Sequence, residues 1–216
     1  KYTMTSNSGE IWTIFLAPFL GLPLPLLPIQ ILWINLVTDG LPGLALGVEP
    51  EERDIMKRPP RPSDESVFAH GMWQHMIWVG LLIGGLSLGA LAWAYHGGSD
   101  NWQTVAFTVL TLSQLVHALA IRSERDSIFT IGWLSNPYMF GAVTLTLGLQ
   151  MAVVYLDPLQ AIFKTTGLSL TELAVSLGLP CIVLAAVEAE KWLARRGLIY
   201  RESRPPDAAR SEGPPL

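Results

Sequence analysis

Four stretches of this chain, residues 11–38, 66–99, 101–121 and 127–156, contain no Asp, Glu, Lys or Arg. Each matches or exceeds the roughly 20 apolar residues that a helix needs to cross a bilayer. Hydrophobic residues make up 50% of the sequence and charged ones 15%, well under the roughly 25% of a soluble domain. A soluble protein of 216 residues would not hide this much uncharged sequence. The chain is therefore expected to be an integral membrane protein of the all-α class, because backbone surrounded by lipid must close its own hydrogen bonds. Six transmembrane helices are expected, over about 1–20, 23–46, 71–95, 102–121, 133–156 and 168–193.

Basic residues set the expected orientation. Arg53, Lys57, Arg58 and Arg61 fall between spans two and three, and Arg122 and Arg125 between spans four and five. Lys191, Arg195, Arg196, Arg201, Arg204 and Arg210 close or follow the last span, whereas the opposite connections carry only Lys164. The positive-inside rule then puts both ends of the chain in the cytoplasm, and a bacterial plasma membrane is the expected location. The chain starts Lys1-Tyr-Thr-Met and reads as a piece of a longer protein. Residues 196–216, rich in Pro, Arg, Glu and Ala, read as a disordered cytoplasmic tail. The tryptophans, among them Trp33 and Trp78, are expected to anchor helix ends at the interface. Gly80, Gly84, Gly85 and Gly89 suggest a small-residue face for close helix packing. Cys181 reads as a small buried hydrophobe, and Glu188 and Glu190 as flanking charges.

Two carboxylates interrupt the apolar pattern at membrane depth. Glu10 ends the segment Ser6-Asn7-Ser-Gly-Glu10, and Asp39 lies in Trp33-Ile-Asn35-Leu-Val-Thr38-Asp39-Gly40-Leu-Pro42. An ionised side chain there costs roughly 2.5 kcal/mol or more, so it persists with a partner or a task. Asn7 and Glu10 are three residues apart, and Asn35, Thr38 and Asp39 fall at i, i+3 and i+4, so each set shares a helix face. The short connection between the spans makes them antiparallel neighbours, and both sets lie at similar distances from it, which brings them to one depth. The donors are hard oxygens of the kind calcium takes six to eight of. A His/Cys cluster of the kind zinc or copper favours is lacking. Gly40 and Pro42 should loosen the helix beside Asp39, exposing carbonyls as transporters do at ion sites.

These segments, continued by Leu46-Gly47, Asp54-Ile-Met-Lys57-Arg58-Pro-Pro, Ser123-Glu124 and Tyr155-Leu-Asp157-Pro158, resemble P-type cation-transporting ATPases, and within them calcium pumps of the sarcoplasmic-reticulum kind. The resemblance covers essentially residues 1–195 and implies the carboxy-terminal transport half, spans five to ten. It implies that Asn7 and Glu10 are fifth-span calcium ligands and that Asn35, Thr38 and Asp39 are sixth-span ligands, with Asp39 bridging two ion positions. Sodium/potassium pumps carry Asp where Asn35 stands, which favours calcium. Calcium pumps with two ion sites carry an eighth-span Glu where this chain has Gln114, and the lost charge points to one tight Ca²⁺ per cycle. Nearby His117 is expected to be a packing histidine, with counter-transport as the other reading. The loop 49–66 is expected to couple the membrane part to the phosphorylation domain.

The chain has no Asp-Lys-Thr-Gly-Thr motif, no Thr-Gly-Glu-Ser and no glycine-rich phosphate loop. Mg²⁺, ATP and the aspartyl-phosphate chemistry are thus expected in other domains of the same protein, and so is a fourth span completing the ion site. The expected partners are the transported cation, the lipid bilayer and those missing parts, with no nucleic acid. Two other classes remain: a secondary cation/proton exchanger, which an internal repeat would favour and none is present, and a non-transporting membrane scaffold whose polar cluster braces helices.

Overall fold

A computed structural model describes residues 1–50, 71–123, 126–132 and 135–200. Most of the coupling loop and residues 201–216 of the tail lie outside the described residues. Among the described residues every regular element is helical. The first span is α1, Tyr2–Leu16, prolonged by a 3-10 turn at Pro18–Leu20. The second is made of α2, Pro28–Trp33, a π-helical turn at Ile34–Thr38, and α3, Gly40–Gly47. The third and fourth are α4, Met72–His96, and α5, Trp102–Ala120. A short α6, Ile128–Ile131, precedes the fifth span α7, Pro137–Tyr155. After α8, Asp157–Phe163, the last span consists of α9, Leu170–Gly178, and α10, Pro180–Arg195.

Five of the six expected spans are long and apolar enough to cross a membrane, and α1, at 15 residues, is the short one. The boundaries follow local chemistry. Asn136 caps α7, accepting from the Met139 N–H, and Pro137 occupies the first helical position, where its missing N–H is not needed. This trims the fifth span from an expected start near 133. The second span starts at Pro28 instead of 23, after an extended segment. Pro180 divides the last span, because a proline cannot donate to the preceding turn.

The bundle is built around α5, nearly all of whose residues are buried. It packs against α4, α10, α9, α7 and α1, with Phe107 and Leu110 in a core that includes Val79, Ile83, Val153, Val183 and Val187. The tightest pair is α1 on α4. A Cβ on Gly9 would lie 2.9 Å from Ile83 Cγ2, one on Gly84 would lie 3.0 Å from Trp12 Cβ, and one on Gly80 would strike the Ser8 side chain. Close approach of small residues is what packs helices in lipid, where apolar burial gives no driving force. Gly85 and Gly89, expected on the same face, look into open space.

Candidate functional site

The second span is broken where its polar residues lie. Between Ile34 and Thr38 the helix widens, the Asp39 N–H bonding back to the Ile34 carbonyl at 2.9 Å. Pro42 provides a cause: it has no N–H for the Thr38 carbonyl four residues earlier, and its ring crowds that oxygen. The freed carbonyl is recovered from another helix, by the Tyr2 hydroxyl at 2.9 Å. The loosening expected from Gly40 and Pro42 therefore falls on the turn before Asp39.

Around this break the structure brings together Glu10, Asn35, Thr38, Asp39 and Gln114. Glu10 is buried on α1, and two amides serve its carboxylate. Gln114 Nε2 donates to Oε1 at 3.1 Å and Asn35 Nδ2 to Oε2 at 3.0 Å. Both amides are used twice: Asn35 also donates to the Ile31 carbonyl at 2.9 Å, and Gln114 to the Ser6 carbonyl at 3.4 Å. Their hydrogens are turned toward protein oxygens, which leaves the Gln114 amide oxygen buried without a partner.

Asp39 is the opposite case. It is 4% exposed, and neither carboxylate oxygen accepts a hydrogen bond of good geometry, the Ser6 and Tyr2 hydroxyls being its polar neighbours. The Tyr2 hydroxyl beside it donates to the Thr38 carbonyl, and the Ser6 hydroxyl lies near Asp39 and Tyr2 without closing a well-formed hydrogen bond. Thr38 Oγ1 is likewise buried and unpartnered. Two carboxylate oxygens, two hydroxyls and an amide carbonyl thus lie buried without a well-formed hydrogen bond. Orphaned polar atoms cost about 1–3 kcal/mol each, and a shared cation would satisfy acceptors of this kind together. Among the described residues no group of three or more His, Cys, Asp or Glu is placed to hold a metal ion, so the negative donors here are two carboxylates supplemented by neutral oxygens. That set suits a hard cation.

Asn7 stands apart. It is exposed on the flank of α1, and Ser6, four residues before Glu10, is the neighbour that faces inward. Asn35 is also largely exposed although it bonds Glu10. Ser6 and Tyr2 were not legible as site residues. The i, i+4 spacing of Ser6 and Glu10 carried the first, while the second depends on where α1 meets the broken span.

Three other assignments change. Glu190, read as a flanking charge, is buried and accepts from Trp78 Nε1 at 3.2 Å and from the Tyr200 hydroxyl at 2.6 Å. Trp78 and Trp33 use their indole N–H groups inside the bundle, Trp33 on Gln150 at 3.0 Å. Cys181 is exposed on the outer side of α10.

The sequence was compared with known proteins. Residues 23–193 match the family model for the carboxy-terminus of cation-transporting ATPases. A calcium-transporting ATPase of Bacillus subtilis (strain 168) is 43% identical over 185 residues, covering 84% of this chain and 21% of that protein. Calcium-transporting ATPase 1 of Bacillus cereus is 39% identical over 208 residues, covering 88% of this chain and 23% of that protein. The chain therefore spans less than a quarter of the length of these relatives. With its apolar helices and a buried, oxygen-lined break in the second span, the chain is a multi-pass membrane protein belonging to the carboxy-terminal membrane region of the cation-transporting ATPases.

Proposed function

We propose that this chain is the membrane half of an ATP-driven P-type calcium pump, supplying most of the intramembrane Ca²⁺ site and moving the ion by alternating access. The observation that carries the reading is Asp39, a buried carboxylate with no well-formed protein hydrogen bond on either oxygen and only the Ser6 and Tyr2 hydroxyls beside it. Structural glue is satisfied by its neighbours, and a side chain left open at this depth is suited to a ligand. Asp39, Thr38 and Glu10 form the centre of the site, with Asn35 and Gln114 contributing amide oxygens once their hydrogens are released from Glu10. Asn7 would join from the open flank, where a preceding span of the intact protein closes the shell.

The relatives' names favour Ca²⁺. Both ends of the chain face the cytoplasm, as the distribution of basic residues indicates. ATP and Mg²⁺ act in the domains outside this sequence. Gln114, neutral at a position facing Glu10, supports one tightly held calcium per cycle. Direct counting of calcium bound per phosphorylated full-length enzyme tests this. One ion per phosphoenzyme is expected, two equally tight ions would refute the stoichiometry, and no calcium-dependent phosphoenzyme would refute the pump.

A further inference from the structure

Behind the ion site runs a second buried polar structure that binding does not use. His117, one helical turn beyond Gln114 on α5, is fully buried, and its Nε2 lies 3.1 Å from Nε2 of His75 on α4. The ring planes are inclined by 28° with centroids 5.4 Å apart, so the two nitrogens meet edge to edge. His75 Nδ1 is 2.6 Å from Glu190 Oε2 on α10. The other Glu190 oxygen accepts from Tyr200 and Trp78. Tyr200 belongs to the segment after α10 and folds back so that its ring covers Gly71, leaving no room for a side chain at a position whose φ of 80° already favours glycine. Burial and the Glu190 carboxylate push the Tyr200 hydroxyl above its ordinary range, so it remains a donor. Residues 197–200, expected in a disordered tail, thus close the outer end of the column.

The inner end is open. His117 Nδ1 is buried and has no partner, and the unpartnered Gln114 oxygen lies one turn away on the same helix. Tyr2 stacks on the far face of His117, 5.9 Å between centroids, while its hydroxyl stays on the Thr38 carbonyl. The charges acting on the two rings are Lys1 with the amino group at residue 1, Lys191 and Glu190. Lys191 is held by the Ala120 and Asp126 carbonyls and by Glu188. Two imidazole nitrogens at hydrogen-bond distance require one to carry hydrogen and the other to lack it. A row of imidazoles ending on a carboxylate can then pass a proton without any group leaving its place.

We propose that His117, His75 and Glu190 form a proton relay between the ion site and the end of the bundle marked by Lys191, Arg195 and Arg196, the cytoplasmic end in the orientation above. A proton arriving at His117 Nδ1 releases the Nε2 proton to His75 Nε2. His75 gives its Nδ1 proton to Glu190, which passes it to water at the rim. Each ring gains one N–H bond and loses one, and one positive charge crosses. Both rings finish as the opposite tautomer and must rotate, or carry a proton back, before the next passage.

The inference rests on the pump reading, and the test separates the two. Full-length protein in sealed vesicles is supplied with ATP and Ca²⁺, and calcium-dependent phosphorylation and the pH of an internal dye are followed. For His75→Asn and Glu190→Gln, protons moved per calcium should fall about tenfold, while the calcium dependence of phosphorylation stays within about twofold. An unchanged proton-to-calcium ratio in both variants overturns the relay. Loss of phosphorylation in both makes the column a structural brace and also overturns it. If the unmodified protein is not phosphorylated in response to calcium, the pump reading fails instead.

Discussion

Asp39 and Glu172 are buried to nearly the same degree, 4% and 6% exposed, at two depths of one bundle. Glu172 completes a capping box at the start of α9. It accepts from the Ser169 N–H at 2.7 Å, from the Ser169 hydroxyl at 2.8 Å and from Asn101 Nδ2 at 3.1 Å, with Ser99 as a fourth donor. It ties the α4–α5 connection to the last span, and both of its oxygens have donors. Glu49 is similar at the other end of the bundle: the Arg122 guanidinium grips it from Nε and Nη2, and Asn136 donates to it at 2.7 Å. Asp39 has only the Ser6 and Tyr2 hydroxyls beside it, and neither closes a well-formed hydrogen bond to it. A carboxylate whose lone pairs are filled by protein is a fastener, and one whose lone pairs are left open waits for something the protein does not contain. Burial alone does not separate the two cases; partner accounting does.

Substitutions can break or sharpen that contrast. The largest effect is expected for Asp39→Asn, which should weaken calcium-activated phosphorylation of the full-length enzyme about 100-fold or more, since it removes a charge from the centre of the site. Its thermal midpoint should hold or rise, because an uncompensated buried charge has gone; a fall in midpoint would class Asp39 with the fasteners. Glu172→Ala should do the reverse. It loses the box and strands its donors, lowering stability by about 2 kcal/mol in thermal unfolding while calcium affinity is unchanged. Tyr2→Phe keeps the stack on His117 and removes only the hydroxyl, so calcium affinity should drop about fivefold, close to 1 kcal/mol, in phosphorylation titrations. The smallest effect is expected at Gly85→Ala, within about 0.5 kcal/mol of the parent in unfolding, in contrast to Gly84→Ala, which has a wall of α1 against it.

Much of this architecture was readable because lipid leaves the chain few options. Uncharged length located α4 and α5 within a residue or two, and the carboxylates at depth marked the proposed site. The rest was hidden for identifiable reasons. Helical spacing gave Asn7 and Ser6 similar claims to the face of Glu10, and only the packing of α1 on α4 fixes the rotation that turns Ser6 in and Asn7 out. Spans one and two adjoin in sequence, yet the principal neighbour of α1 is α4 and that of α3, outside its own span, is α7. The two spans meet at the site through the Asn35–Glu10 and Tyr2–Thr38 hydrogen bonds. Pro42 advertised a break, but its position one turn earlier depends on which carbonyl a proline deprives. The histidine column brings together residues 42 and 115 positions apart in sequence, a separation no local pattern reports.

The glycine contact between α1 and α4 has a mechanical corollary. With Gly9, Gly80 and Gly84 bringing backbone almost onto backbone, neither helix can slide or roll against the other without collision, so the pair should travel as a single strut. Whatever displacement accompanies transport must then be absorbed elsewhere. The compliant seam is the line between α1 and the second span, where a phenol and an amide, rather than interlocked side chains, bridge the gap. A strut hinged along so light a seam can change the width of an ion pathway with little repacking.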